Sequence, residues 1–163
     1  MLLSIYHQNL RGLKHKIDKL ACSFIAKELH LCFICITEHY LMEQKLLLLS
    51  HESCHLVSNF SHKNSTGGGV CIYVRCDMIK NTSKKISHIC TDKILEACAA
   101  QIFIEKFSIT IVCICRATSA DFDHFSNLCD LTLKYLHSLH MELVICVVIL
   151  ISVIWMILFV HRK

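Results

Sequence analysis

The sequence contains no proline and only four glycines in 163 residues, although average usage would place about eight prolines in a chain of this length. Charged residues make up 18% of the chain and apolar residues 54%, so the low hydrophobicity and high charge of disordered chains are absent as well. The length predicts one domain with a sizeable core. The formal charge of +4 permits contact with a polyanion but does not argue for one.

A secretory leader is also missing from the sequence, because residues 1–7 (MLLSIYH) have no basic region and too short an apolar stretch. We therefore expect the 12 cysteines to be mostly reduced and not to form a disulfide framework. Several of them fall within apolar, strand-like runs, where a thiol behaves as a small hydrophobe. Many cysteines together with no proline are also typical of a sequence that drifts without selection.

Several motifs that carry chemistry are absent. Cys32 and Cys35 have the spacing of half a zinc or redox site, but no second pair follows, and a strand would place the two thiols on opposite faces. The histidines, His51 and His55 among them, form no His-Glu-x-x-His pattern. The glycines at 67–69 lead into a strand without a following Gly-Lys-Ser/Thr, which excludes a phosphate-binding loop. Buried thiols, surface histidines and a hairpin or edge loop are the expected alternatives.

The sequence does contain a regular succession of strand and helix patterns. Strands are predicted over 2–8, 31–37, 55–60, 70–75, 95–104, 108–115 and 143–146. Amphipathic helices are predicted over 14–27 and 121–140, with a short helix or turn within 40–50. On the second helix the expected buried face comprises Phe122, Phe125, Leu128, Leu131, Tyr135 and Leu139. This order of elements indicates an α/β fold with mixed sheets and no linker that divides the chain.

A carboxylate and an amide follow two of the predicted strands. Glu38 comes directly after the apolar strand at 31–37, and Gln8 and Asn9 end the first strand. An acid at the carboxyl end of a buried strand faces a potential cleft, and hard divalent cations take oxygen ligands. Taken singly, each position is equally compatible with a solvated residue at the end of a strand.

Four separated blocks of sequence resemble, in order and spacing, the endonuclease domain of non-LTR retrotransposons, which belongs to the endonuclease/exonuclease/phosphatase (DNase I-like) superfamily. The blocks are residues 5–13 (IYHQNLRGL), 34–41 (ICITEHYL), 67–75 (GGGVCIYVR) and 116–122 (RATSADF).

The resemblance implies a DNase I-like domain over residues 1–146, folded as a partial, C-terminally truncated four-layered α/β sandwich and followed by an apolar segment. It implies that Asn9 and Glu38 hold a catalytic magnesium ion and that Arg116 contacts a phosphate of DNA.

The chain also departs from the pattern of that family. Cys115 stands where the family block Tyr-Arg-x-Pro-Ser-Gly has its tyrosine, Thr118 stands at the proline and Ala120 at the glycine. The next family block, Gly-Asp-Phe/Ile-Asn, is replaced by residues 147–150 (VVIL), and the final Ser-Asp-His block has no counterpart. These departures predict that no catalytic set is intact. The expected function is that of a catalytically inactive remnant of a magnesium-dependent DNA endonuclease of retrotransposon origin.

Residues 143–160 form an apolar run of about 18 residues, which is long enough for a membrane-spanning helix. Trp155 and the basic residues at 161–163 (HRK) are suitable interfacial anchors. The alternative function is therefore a small, tail-anchored membrane protein without catalysis, and the location is a membrane or the cell interior according to whether this segment inserts. The richness of the run in β-branched residues also suits a buried strand. A third alternative is a remnant that binds DNA or magnesium without turnover.

A shift of reading frame is a hypothesis for the origin of this tail. Codons for residues 148–156 (VILISVIWM) can be chosen so that a neighbouring frame spells Gly-Asp-Ile-Asn-Ile-Ser-Tyr-Leu-Asp, the missing family block. The nucleotide sequence of the gene tests the hypothesis, and codons at 147–156 that cannot be reread in this way exclude it.

Overall fold

A computed structural model describes residues 4–14, 16, 32–49, 54–63, 67–78, 83–84, 90–91, 93–104, 107–117, 119–138, 143–150 and 153–160. The strands are β1 (Ile5–Asn9), β2 (Phe33–Thr37), β3 (Cys54–Phe60), β4 (Val70–Arg75), β5 (Ser83–Lys84), β6 (Leu95–Ile104), β7 (Phe107–Arg116), β8 (Leu143–Leu150) and β9 (Val153–Val160). The helices are α1 (Glu43–Leu47) and α2 (Phe122–Ser138), with a 3₁₀ turn at Cys76–Met78.

The strands form two sheets, the first in the order β1-β2-β4-β3 and the second in the order β5-β6-β7-β8-β9. Within the first sheet β1 and β2 are parallel, and within the second β7 and β8 are parallel. The other pairings are antiparallel. Because β1 and β2 run in the same direction, their carboxyl ends, Asn9 and Thr37, lie side by side at one edge of the sandwich.

The two sheets pack face to face, and each also has a covered outer face. In β4, Val70, Ile72 and Val74 belong to the core between the sheets, whereas Cys71 and Tyr73 belong to the core on the outer side of the first sheet. Alternate residues of this strand are therefore buried on opposite faces. A strand covered on both faces needs an apolar residue at nearly every position, which is why the sequence shows continuous apolar runs here.

Helical or loop layers cover the outer faces. Leu46 of α1 packs with Leu10 and Leu13 in the core outside the first sheet. Phe125 and Leu136 of α2 pack in the core outside the second sheet. The layers follow the order α1 with its neighbouring loops, first sheet, second sheet, α2, which confirms the expected partial four-layered α/β sandwich.

The buried face of α2 differs from the one that the sequence predicted. Phe125, Thr132 and Leu136 are buried, whereas Phe122 is 55% exposed and Leu131 is 58% exposed. Thr132 tolerates burial because its hydroxyl donates a hydrogen bond to the carbonyl of Leu128 at 2.8 Å. A hydrophobicity pattern predicts a buried leucine in preference to a threonine. Here the hydrogen bond of the hydroxyl allows Thr132 to be buried while Leu131 is exposed.

The apolar tail forms two strands, which corrects the expectation of one membrane-spanning helix over 143–160. Strand β8 extends the predicted strand at 143–146 to Leu150, and β9 returns antiparallel to it with Leu143 opposite Val160. Val144 packs in the core beneath α2, and Ile145 and Val147 pack between the sheets, so β8 is covered on both faces. No helix within the described parts of the chain has the length and apolar character to cross a membrane.

One predicted feature is not tested. Nearly all of the helix predicted over 14–27 lies outside the described residues.

The corrected face of α2 predicts how two leucines differ in their contribution to stability. Leu136→Ala should lower the free energy of unfolding by about 2–5 kcal/mol, because it opens a cavity at a side chain that is 1% exposed. The control Leu131→Ala, at a side chain that is 58% exposed, should change it by less than about 0.5 kcal/mol. Urea unfolding measures both values, and equal losses would contradict the orientation of the helix.

Candidate functional site

The two metal-ligand positions expected from the sequence lie next to each other at the carboxyl edge of the first sheet. Asn9 is the last residue of β1 and pairs with Thr37, the residue before Glu38. The amide of Leu10 donates a hydrogen bond to the carbonyl of Thr37 at 3.1 Å, which holds the ends of the two strands together. The Oδ1 atom of Asn9 is buried and has no hydrogen-bond partner among the described residues. A buried, unpartnered oxygen at this place suits a cation ligand.

Glu38 sits in a left-handed backbone conformation with φ 54°. Its Oε2 accepts a hydrogen bond from the Tyr40 hydroxyl at 3.1 Å and lies 3.6 Å from Nε of Arg11. The Glu38 side chain is 13% exposed, whereas that of Arg11 is 75% exposed. The Tyr40 hydroxyl and the Arg11 guanidinium therefore position the Glu38 carboxylate. Because Arg11 is exposed, its ion pair with Glu38 is weak, and a ligand can reach the carboxylate at a small cost in free energy.

Glu38 lines a cleft of about 390 Å³, within the size range of small-ligand sites. Arg116, the phosphate contact expected from the sequence, lines the same cleft. The other lining residues are Arg11, Tyr40, His62, Gly67, Gly68, Lys93, Glu96, Cys115, Ala117 and Ser119. The structure thus brings Glu38 and Arg116 together, and Asn9 adjoins the cleft through its pairing with the residue before Glu38.

Arg116 ends strand β7 and is held at two places. One terminal nitrogen donates a hydrogen bond to the carbonyl of Ala120 at 2.9 Å, and the guanidinium carbon lies 5.8 Å from the centre of the Phe122 ring. The Nε atom is buried and has no hydrogen-bond partner among the described residues. Arg116 lines the cleft, and a guanidinium held in place there is suited to bind an oxyanion.

Cys115 precedes Arg116 at the position where the related domains are expected to have a tyrosine. Burial, followed by the nearby carboxylates of Glu96 and Glu38, raises the pKa of the thiol to about 12. The group is therefore a neutral thiol at ordinary pH, and it is neither a nucleophile nor a strong hydrogen-bond donor.

Glu96 and His62 form a buried pair that sequence reasoning did not find. Oε1 of Glu96 lies 2.7 Å from Nε2 of His62, and Oε2 accepts a hydrogen bond from the amide of Gly69 at 2.7 Å. Glu96 belongs to the second sheet, whereas His62 and Gly69 flank strands of the first. The one available signal was the single charged residue of β6, at its second position, because such a carboxylate requires partners when buried.

Residues with strained backbone conformations cluster at the cleft. The non-glycine residues with left-handed φ in the described parts of the chain are Arg11, Glu38, Tyr40 and Lys93, and every one of them lines the cleft. Each such conformation costs about 1 kcal/mol or more and persists only where surrounding contacts enforce it. The amide of Gly12, for example, donates a hydrogen bond to the carbonyl of Glu38 at 2.8 Å. Clustered strain of this kind is typical of a functional site.

His39 is buried beside the cleft in a neutral form. The amide of Leu41 donates a hydrogen bond to Nδ1 at 3.0 Å, so Nδ1 carries no proton, and Nε2 then donates to the carbonyl of Phe60 at 3.1 Å. Burial lowers the pKa of His39 from its ordinary value of 6.5 to about 4. Its ring also excludes a side chain at Gly69, where φ is 88° and an added Cβ would overlap the imidazole.

The remaining candidates from the sequence have different outcomes. Cys32 and Cys35 are buried thiols, as expected. His55 is exposed, but His39 and His62 are buried, which corrects the expectation of surface histidines, and His51 lies outside the described residues. Within the described parts of the chain, no group of three or more His, Cys, Asp or Glu side chains is arranged to hold a metal ion.

No protein-family model matches the sequence, and no curated protein matches it. Solved structures do match. The endonuclease domain of TRAS1, a telomere-specific non-LTR retrotransposon, aligns with a TM-score of 0.61 and 11% identity over 90% of this chain and 58% of that one. TDP2 of D. rerio, complexed with a single-strand DNA product, aligns with a TM-score of 0.63 and 17% identity over 90% and 59%. The Neisseria 3′ phosphatase NExo, bound to a product DNA hairpin, aligns with a TM-score of 0.57 and 11% identity over 90% and 57%.

These neighbours are DNase I-like endonuclease/exonuclease/phosphatase proteins, and a retrotransposon endonuclease domain is among them, as the four sequence blocks predicted. At such low identity the alignments show the fold, which is DNase I-like. The chain spans about three fifths of the length of the solved structures it matches.

The neutral state of His39 predicts a stability that depends on pH. The unfolded chain takes up a proton near the ordinary pKa of 6.5, whereas the folded chain resists protonation until about pH 4. The contribution of His39 is therefore fully present above about pH 6.5 and is lost as the pH falls through about pH 4. Each extra proton on the unfolded chain lowers the free energy of unfolding by about 1.4 kcal/mol per pH unit.

Urea unfolding across this window measures the slope. His39→Gln should reduce the slope by about one proton. Equal slopes for wild type and His39→Gln would contradict the buried, neutral histidine.

Proposed function

We propose that this chain is a nuclease-derived domain, of retrotransposon origin, that binds a phosphodiester of DNA in the cleft beside a divalent cation and does not hydrolyse it at the rate of a nuclease. The observation that carries the proposal is the convergence in one cleft of Glu38, the fixed guanidinium of Arg116 and the strained left-handed residues. The fold and the four sequence blocks support the same class of ligand.

The cleft favours an anion on balance. Arg11, Lys93 and Arg116 contribute three cationic groups, and Glu38 and Glu96 contribute two carboxylates. The carboxylate of Glu96 is already bound to His62 and to a backbone amide, so it projects little charge into the cleft. A DNA phosphate in the cleft would contact the fixed guanidinium of Arg116 and two further cationic groups, those of Arg11 and Lys93.

Asn9 and Glu38 are the residues that would hold magnesium. The fit rests on the buried, unpartnered Oδ1 of Asn9 and on the carboxylate of Glu38 one position beyond its paired residue. When bound, the ion would activate water and neutralise charge on the phosphate. Arg11 opposes its binding, because its guanidinium already neutralises part of the Glu38 charge at 3.6 Å.

The low rate of hydrolysis is argued from the groups that surround the phosphate position. Cys115 offers a neutral thiol where a phenol would orient the phosphate. Strand β8 runs parallel to β7 and places Ile149 opposite Cys115 at the same edge. Residues 143–160 contain no Asp, Glu, His, Lys or Arg, so β8 and β9 carry none of the carboxylates, histidines or lysines that commonly serve as general acid or base. General acid–base catalysis is typically worth about 10²–10⁴-fold in rate.

DNA is the preferred ligand because two solved structures of the same fold contain it. The D. rerio TDP2 structure holds a single-strand DNA product, and the Neisseria NExo structure holds a product DNA hairpin. Those proteins share the fold of this chain at low identity, so the transfer of their ligand class to this cleft is part of the proposal.

The binding test uses fluorescence anisotropy with a labelled single-stranded DNA oligonucleotide in magnesium buffer. Arg116→Ala should weaken binding by about tenfold or more, because a charge-assisted hydrogen bond to phosphate is lost. The matched control Lys134→Ala removes a cation from an exposed position of α2 outside the cleft lining and should change the affinity by less than about twofold. Equal weakening by both substitutions would show that DNA binds by net charge and not at this cleft.

Cation binding and DNA hydrolysis are measured in two separate assays on the same protein. Binding of Mn²⁺, followed by electron paramagnetic resonance, should be lost in Glu38→Gln and Asn9→Ala and kept in Glu43→Gln, whose carboxylate lies in the first turn of α1. Supercoiled plasmid should be nicked no faster by wild type than by Glu38→Ala. Magnesium-dependent nicking that disappears in Glu38→Ala would overturn the inactive part of the proposal.

A further inference from the structure

Phe122 is a large aromatic side chain left in solvent beside the phosphate-binding arginine. It is the first residue of α2 and 55% exposed, because the helix directs Phe125, Thr132 and Leu136 into the core. The proposed function gives it no role, and the packing of the domain does not use most of its surface.

The ring is held in place. Asp121 caps the helix, because its Oδ1 accepts a hydrogen bond from the amide of His124 at 2.8 Å and its carbonyl accepts one from the amide of Phe125 at 3.1 Å. The guanidinium of Arg116 lies 5.8 Å from the ring centre and contributes a cation–π contact. Because the backbone of residue 122 is fixed by the cap, the ring loses little conformational entropy when a ligand packs on it.

Arg116 links the ring to the cleft. Its guanidinium is anchored by the carbonyl of Ala120 at 2.9 Å, and the residue lines the cleft. A phosphate bound by that guanidinium is covalently joined to a sugar and a base, so the base has to lie a short distance from the arginine. The ring of Phe122, centred 5.8 Å from the guanidinium carbon, offers an exposed aromatic surface at such a distance.

We propose that Phe122 is a nucleobase-stacking platform, and that the cleft therefore takes single-stranded nucleic acid with an unpaired base next to the bound phosphate. This inference rests on the proposed function, because it requires a phosphate at Arg116. A base within a duplex is already stacked on both faces, so only an unpaired or displaced base can lie on the ring. Stacking on an aromatic side chain tolerates any base, since every base has a π-face.

The experiment compares three labelled DNA ligands of equal length by fluorescence anisotropy: a single-stranded oligothymidylate, an abasic strand with the same phosphates, and a duplex. Wild type should bind the oligothymidylate about fivefold or more tightly than the abasic strand. Phe122→Leu should remove that difference while keeping the affinity for the abasic strand. Phe122→Trp should retain the difference, because the larger ring stacks at least as well.

Phe103→Leu is the matched control. It removes a phenylalanine that is 44% exposed near the far end of β6, seven positions beyond Glu96, and should leave all three affinities unchanged. Phe122→Leu binding that falls equally for the oligothymidylate and the abasic strand would overturn the proposal, because the ring would then serve only to hold Arg116. A wild type that does not prefer bases to abasic sites, or that prefers the duplex, would overturn it as well.

A distinct result would mark a failure of the proposed function. Wild type that binds neither strand more tightly than Arg116→Ala has no phosphate site at the cleft. The stacking test then fails at its premise, and both proposals fall together.

Discussion

One buried carboxylate holds the two halves of the cleft together. Glu96 belongs to the second sheet, and both of its oxygens bind groups of the first: the ring of His62 and the amide of Gly69. A charge that is 3% exposed is tolerable only with such partners. The glycine loop that Glu96 holds also orients the loop of Glu38, because the amide of Tyr40 donates a hydrogen bond to the carbonyl of Gly68 at 2.9 Å. Gly68 has to be a glycine, since at φ 72° an added Cβ would overlap the Glu96 carboxylate.

Sequence reasoning predicted best the strands that are buried on both faces. Strands such as β4, covered on both faces, show continuous apolar runs that need no knowledge of their partners. The face of α2 was predicted less well, because a threonine satisfied by its own helix replaced Leu131 in the core. The pair of Glu96 and His62 could not be predicted, since no local pattern relates residues 34 positions apart. The neighbourhood of Glu38 and Arg116 was expected from resemblance and is present in the structure, while the roles of these residues remain proposals.

The cleft is uneven in its chemistry. The side made by the first sheet offers an unpartnered amide oxygen, a positioned carboxylate and strained loops, all of which are features of a working site. The side made by the second sheet offers a fixed guanidinium but also a protonated thiol, with an aliphatic strand end beside it.

The hairpin of β8 and β9 has a consequence for the precision of the fold. Strand β9 lies at the margin of its sheet, and its sequence, VIWMILFV, is apolar at odd and at even positions alike. Sliding a strand by one residue exchanges the side chains between its two faces, and in most strands the burial of polar groups forbids the exchange. In β9 such a shift would exchange one set of apolar side chains for another, so it would bury no polar group. Polarity therefore does not enforce the alignment of Leu143 with Val160.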